Sequence, residues 1–171
     1  MPNTSKQLTE LEKEFNQTKN PLKKAEIANT LGKLYRDLES SDVEQRNSEL
    51  NNSLNWYKRE LQLSNKSKKD QIDCNRNLYE TQFKIYELNQ ANKKYHEKAK
   101  EYLDRAFSLA QQIGEKQLQE IYTVKGQYYH KIGVNLNSGF ITGKKREINK
   151  NLKSALNKGT SKKGWVCQKH T

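Results

Sequence analysis

The chain is short of most of the residues that punctuate or staple a fold. Two prolines and eight glycines in 171 residues leave little to interrupt long helices. Cys74 and Cys167 are the whole cysteine complement and lie far apart, which excludes a disulfide framework. Only 32% of residues are hydrophobic, against 30% charged, a thin supply for one compact core. No apolar run approaches the ~20 residues that span a bilayer, and the opening MPNTSKQLTELEKEF lacks the apolar stretch of a signal peptide. The expectation is a soluble intracellular chain, cytoplasmic, with no membrane partner.

The catalytic vocabulary is equally sparse. There is no Gly-rich phosphate loop, no GxSxG, no HExxH and no paired CxxC. His96, His130 and His170 are isolated, and Cys167 with His170 supplies half of a four-ligand zinc site at most. No catalytic residue, metal or cofactor is expected, and the chain reads as a non-enzyme.

What is present is helical periodicity. Leu8, Leu11 and Phe15 share one helix face, and Asn20-Pro21 stops that helix near residue 18. Ile27, Leu31, Leu34, Tyr35 and Leu38 predict a second helix over 22–39. A polar stretch, ESSDVEQRNSELNN, reads as a break before a third over 49–64, carrying Leu50, Ser53, Leu54, Tyr57 and Leu61. Ile72, Tyr79, Phe83 and Tyr86 predict a fourth over 70–89. Ala99, Tyr102, Leu103, Ala106, Phe107, Ala110 and Ile113 predict a fifth over 95–113. Leu118, Ile121, Tyr122, Tyr129 and Ile132 predict a sixth over 115–132. VNLNSGFITG reads as loop, a short helix is expected around 145–157, and the remainder carries no period. The fold class is all-α, with residues 1–133 as helical repeats and 134–171 as a basic, disordered tail.

The helices read as pairs. Gly32 and Gly126 each stand three residues before a tyrosine, in LGKLY and KGQYY. The second members carry a small residue, then Tyr or Leu four later, at Ser53–Tyr57–Glu60 and Ala99–Leu103–Ala106. A small residue lets two backbones approach at a crossing, and the aromatic fills the adjacent groove. Gly32, Tyr35, Tyr57, Ala99, Leu103, Ala106, Gly126 and Tyr129 are therefore the expected packing residues. The pattern resembles the tetratricopeptide repeat, a helix–turn–helix unit of roughly 34 residues. The small residue expected at Glu44 arrives at Ser53, and that of the second repeat falls late at Ala99, so both repeats are expected to carry an enlarged inter-helix loop. Tyr79 stands in place of the first-helix glycine of repeat two.

AEIANTLGKLYRDL, RELQLS followed by a charged break, and AFSLAQQIGEKQLQEIYTVKGQYYH resemble the amino-terminal tetratricopeptide repeats of Tonsoku-like proteins over roughly residues 6–133. The resemblance implies a nuclear scaffold in replication-coupled DNA repair, working among chromatin and histone-handling factors. The ankyrin and leucine-rich modules that hold histones and a repair partner in that family have no counterpart here, so no histone-binding residue carries over. The chain would correspond to the amino-terminal repeat section.

Stacked pairs build a concave groove lined by first-helix residues. The expected lining is Asn29, Lys33, Arg36, Asn75, Arg76, Gln82, Lys125 and Gln127, suited to an extended acidic or polar peptide. The alternative lies in the tail. Lys144–Thr171 holds nine Lys or Arg and one Glu, net +8 of the chain's +12. KKREINKNLK and KGTSKKGW, with Trp165 to stack on a base, would give weak, non-specific nucleic-acid contact. A purely structural bundle, dimerising through unpaired ends, is the third reading.

Overall fold

A computed structural model describes residues 4–63, 67–89 and 93–137. Among them the chain is entirely helical: α1 Thr4–Gln17, α2 Pro21–Asp37, α3 Val43–Gln62, α4 Lys68–Leu88, α5 Lys93–Ala110 and α6 Glu115–Asn137. The helix expected at 145–157 and the rest of the tail lie outside the described residues.

Local sequence explains three of the helix starts, those of α2, α3 and α4. The Asn20 side chain accepts from the N–H groups of Leu22 (2.9 Å) and Lys23 (3.4 Å), with Pro21 in the first turn of α2 where its missing N–H costs nothing. Asp42 accepts from Gln45 N at 2.7 Å. Ser67 and Asp70 form a reciprocal capping box that starts α4.

Two expectations need correcting. The first is the loop between α2 and α3, which takes only residues 38–42, so it is not enlarged. The extra residues extend α3 toward its amino terminus, and α3 starts at Val43 rather than at 49. The inward side chain of that added stretch is charged, Arg46, which pairs with Glu49 at 3.4 Å. A search for apolar spacing passes over it. The second repeat likewise has no long loop, since α4 ends at Leu88 and α5 begins at Lys93. The other correction concerns the ends of α5 and α6. α5 stops at Ala110, leaving Ile113 38% exposed in the link, where Gly114 adopts φ 148°, a conformation open to glycine. α6 runs on through 134–137, part of the stretch expected to be loop.

The backbone divides into two compact units, Met1–Leu109 and Ala110–Thr171. In the first, α1 packs on α2, α2 on α3 and α3 on α4. Ile27, Ala28, Leu31 and Trp56 form one core cluster, covered by Leu8, Leu11, Phe15 and Tyr35. Trp56 meets the Phe15 ring edge-on at 5.0 Å, and the Arg59 guanidinium lies 4.4 Å from the Trp56 ring centre. The second cluster joins Leu50, Leu54 and Tyr57 of α3 to Cys74, Leu78 and Ile85 of α4, with Tyr95 and Tyr102 of α5 against it. Ala99, Leu103 and Ala106 are fully buried. In the second unit Gly126, Ile121, Tyr128, Tyr129 and Ile132 are buried, and the two tyrosine rings meet edge-on at 5.1 Å.

Gly32 and Ser53 mark the α2–α3 crossing. The Ser53 hydroxyl donates to Gly32 O at 2.7 Å, and a Cβ on Gly32 would come within 2.7 Å of the fully buried Tyr57 ring. Tyr35 packs at the α1 side and donates through its hydroxyl to Glu12 Oε1 at 2.9 Å.

Buried phenols set an alkaline limit on this packing. Burial raises the pKa of Tyr57 and of Tyr79, nearby carboxylates add to both, and only Arg36 opposes the shift at Tyr57. Burial and then the bond to Glu12 push Tyr35 up to about 12. The unfolded chain ionises its tyrosines near 10 while the folded chain keeps these neutral. Their contribution is therefore complete below pH ~10 and is lost as pH rises toward the folded values, at roughly 1 kcal/mol per pH unit for Tyr57 and Tyr79 and less for the partly exposed Tyr35. A pH titration is expected to show helix loss above pH ~10, coincident with tyrosinate absorbance. Tyrosine ionisation with helicity intact would contradict it.

Candidate functional site

Between α2 and α4 lies a groove of about 680 Å³. Leu22, Ala25, Glu26, Asn29, Thr30 and Lys33 line one wall, Asp70, Asp73, Arg76, Asn77 and Glu80 the other, and Glu60 of α3 joins them. The periodicity is simple. Residues 22, 26, 29 and 33 share one face of α2, and 70, 73, 77 and 80 share one face of α4. The two faces meet because α2 and α4 both pack against α3.

Side-chain bonds fix parts of this lining. The Asn29 amide donates to Glu60 Oε2 at 3.0 Å. Glu60 is only 4% exposed, so this carboxylate is held in place rather than free to swing. Arg36 closes the flank. Its Nη1 donates to Asn77 Oδ1 at 3.2 Å and to Glu80 Oε2 at 3.0 Å, and its guanidinium lies 5.8 Å from the Tyr57 ring centre. The side chain is 15% exposed. Arg36 thus ties α2 to α4. Arg76 pairs with Asp73 at 3.6 Å.

Of the eight expected groove residues, three line it: Asn29, Lys33 and Arg76. Arg36 reaches it from the flank through Asn77 and Glu80. Asn75 and Gln82 are buried, 3% and 4% exposed, on another part of α4, and the Asn75 amide donates back to Gln71 O at 2.8 Å. They are interior polar residues of α4 and do not line the groove. Lys125 and Gln127 belong to α6 in the second unit.

No family model, curated protein or solved structure matches this chain. The lining itself is therefore the basis for a functional reading.

Its charge reverses what the sequence led us to expect. Five carboxylates (Glu26, Glu60, Asp70, Asp73, Glu80) face two cations (Lys33, Arg76), a formal charge of −3. Counting Arg36 at the flank leaves −2. An acidic peptide is disfavoured by that lining. The carboxylates were legible in part. Asp70, Asp73 and Glu80 recur on one helix face, and Glu60 already stood in the repeat pattern. What the sequence did not reveal was that α2 and α4 face one another across Glu60.

Elsewhere, Cys74 is fully buried and its thiol donates to Tyr57 O at 3.2 Å, a packing position. Among the described residues no group of three or more His, Cys, Asp or Glu is placed to hold a metal ion. No described helix is long and apolar enough to cross a membrane.

Proposed function

We propose that this chain is a non-enzymatic scaffold of tetratricopeptide-like helix pairs that holds an extended segment of another protein in the α2–α4 groove. One observation carries the reading: polar side chains from two successive first helices converge on a single cleft. Asn29 and Arg76 lie in it bonded to Glu60 and Asp73, with Lys33 beside them, so a ligand meets a surface partly organised by the fold. The Gly32–Ser53–Tyr57 contact supports the repeat assignment, because it places a small residue of each helix at the crossing and an aromatic over it. In this reading α2–α3 and α4–α5 are the first two pairs. The resemblance to Tonsoku-like proteins supplies the setting: the nucleus, with partners in replication-coupled repair and chromatin handling.

Site-specific photocrosslinking tests it. A benzophenone amino acid is placed at Lys33 in the groove, or at Lys58, an exposed position on α3 outside it. The full chain is then irradiated in nuclear extract with and without nuclease. Capture of replication or histone-handling proteins at position 33, not at 58, and unaffected by nuclease, is the expected result. No specific adduct at 33, together with nuclease-sensitive recovery of the chain, would transfer the function to the basic tail and its nucleic-acid reading.

A further inference from the structure

We infer that the segment received by the α2–α4 groove is a basic one: an extended Lys- or Arg-rich peptide of a partner protein, carrying one apolar side chain. The inference rests on the scaffold reading above and adds the chemistry of its ligand.

Charge is the first argument. The lining carries −3, although residues 1–109, the unit that holds it, carry +3 (20 Lys or Arg against 17 Asp or Glu). A local acidic cleft on a basic protein has a field opposite in sign to its surroundings, which steers cations into the cleft and away from the rest of the surface. Geometry is the second. Arg36 and Arg76 engage Glu80 at 3.0 Å and Asp73 at 3.6 Å. Glu60, 4% exposed, is bonded by a neutral amide from Asn29. The carboxylates are thus spread along both walls, with Glu26 on α2 and Asp70, Asp73 and Glu80 on α4. Cationic side chains on alternate residues of an extended strand would reach the two walls in turn.

The third argument is apolar. Leu22 is 61% exposed, the most exposed large hydrophobic residue described, and it lines this same groove beside the buried Ala25. An isolated exposed leucine is ordinary. One set inside a charged cleft offers an apolar contact that a ligand side chain can cover. The ligand is therefore a basic segment with a single apolar anchor.

The probe is a fluorescein-labelled dodecapeptide alternating Lys and Ser, with one Leu at its centre. The control replaces every Lys by Glu. Binding to the full chain is read by anisotropy at low and at physiological ionic strength. The Lys peptide is expected to bind, to weaken as salt rises, and to lose at least about tenfold in affinity in the double variant Glu26→Lys/Asp73→Lys, which turns the lining from −3 to +1. Glu26→Gln/Asp73→Asn should give an intermediate loss with the fold undisturbed, and Leu22→Ser a smaller one that salt does not change. Circular dichroism of each variant checks that the helices persist. Two results overturn the inference: Lys-peptide binding that the charge variants leave unchanged, or tighter binding of the Glu peptide to the native chain. Photocrosslinking at Lys33 reads the groove whatever the charge of its ligand. Specific adducts there, with no preference for the Lys peptide, would remove the basic ligand while leaving the scaffold reading intact.

Discussion

Gly32→Leu is expected to unfold most of the first unit at moderate urea, and even Gly32→Ala should destabilise. A Cβ at this position would lie 2.7 Å from Tyr57 Cε1 and 2.9 Å from both Cδ1 and Cζ. The ring has nowhere to retreat. It is fully buried, the Arg36 guanidinium covers its face, and the Cys74 thiol holds its backbone carbonyl from α4. Two effects compete for the sign. Replacing glycine by alanine inside a helix favours the helix by up to ~1 kcal/mol. Overpacking a filled core costs about 1–3 kcal/mol, and more for larger side chains. Packing wins, so Gly32→Ala should cost about 1 kcal/mol net and Gly32→Leu about 3 kcal/mol or more, a large share of the ~5–15 kcal/mol typical of a domain.

A double-mutant cycle isolates the cause. In a Tyr57→Leu background Gly32→Ala should become neutral or stabilising, because the propensity gain stays and the clash goes. Tyr57→Phe should bring no such relief, since the contacting atoms are ring carbons. Alone, Tyr57→Phe should be neutral or stabilise by up to ~1 kcal/mol, because the buried hydroxyl has no hydrogen-bond partner among the described residues. Urea midpoints followed by helicity give all of these values. A Gly32→Ala protein more stable than the native chain would mean that the crossing is looser than described.

The second large effect is expected from Arg46→Met, at about 3 kcal/mol. Arg46 joins three groups at once. It donates to Leu38 O, to Arg36 O at 2.8 Å and to Glu49 Oε2 at 3.4 Å. Two of these are carbonyls at the end of α2, which have no partner within their own helix. Arg46 and Glu49 are 13% and 9% exposed, so neither is well solvated. Removing the cation leaves a buried carboxylate held by Ser40 and Gln45 alone, and two partly buried carbonyls without this donor. Glu49→Gln should cost much less, about 1 kcal/mol, because Arg46 keeps both carbonyl acceptors. Arg46→Met/Glu49→Leu should recover part of the loss, since a well-packed apolar pair can replace a buried ion pair. Urea denaturation of the three variants reads the order. A cost below ~1 kcal/mol for Arg46→Met would show the pair to be solvated.

The Arg46 result bears on what a sequence can disclose. Residues 43–48 form two turns of α3 in a stretch without apolar period, because their inward side is ionic. Periodicity counts apolar residues, so it finds only helices whose buried face is apolar. For the same reason the other helices were legible to within a few residues, since Leu8–Phe15, Ile27–Leu38 and Ala99–Ala110 each repeat at helical spacing. The starts of α2 and α4 rest on Asn20 and Ser67, whose side chains bond the first free N–H groups, although by spacing alone Asn20-Pro21 reads only as the stop of α1.

The sequence by itself determined the all-α class of the described residues, the approximate place of their six helices, and the small residues Gly32 and Ser53 that the crossing requires. Those follow from local propensity and from spacing along one helix. Tertiary structure alone decided the rest. It set Asn75 and Gln82 inside the protein, turned Arg36 into a tether between α2 and α4, and drew Glu26, Glu60, Asp70, Asp73 and Glu80 into one cleft. The charge of a groove is a sum over walls far apart in the chain, and only packing decides which walls meet.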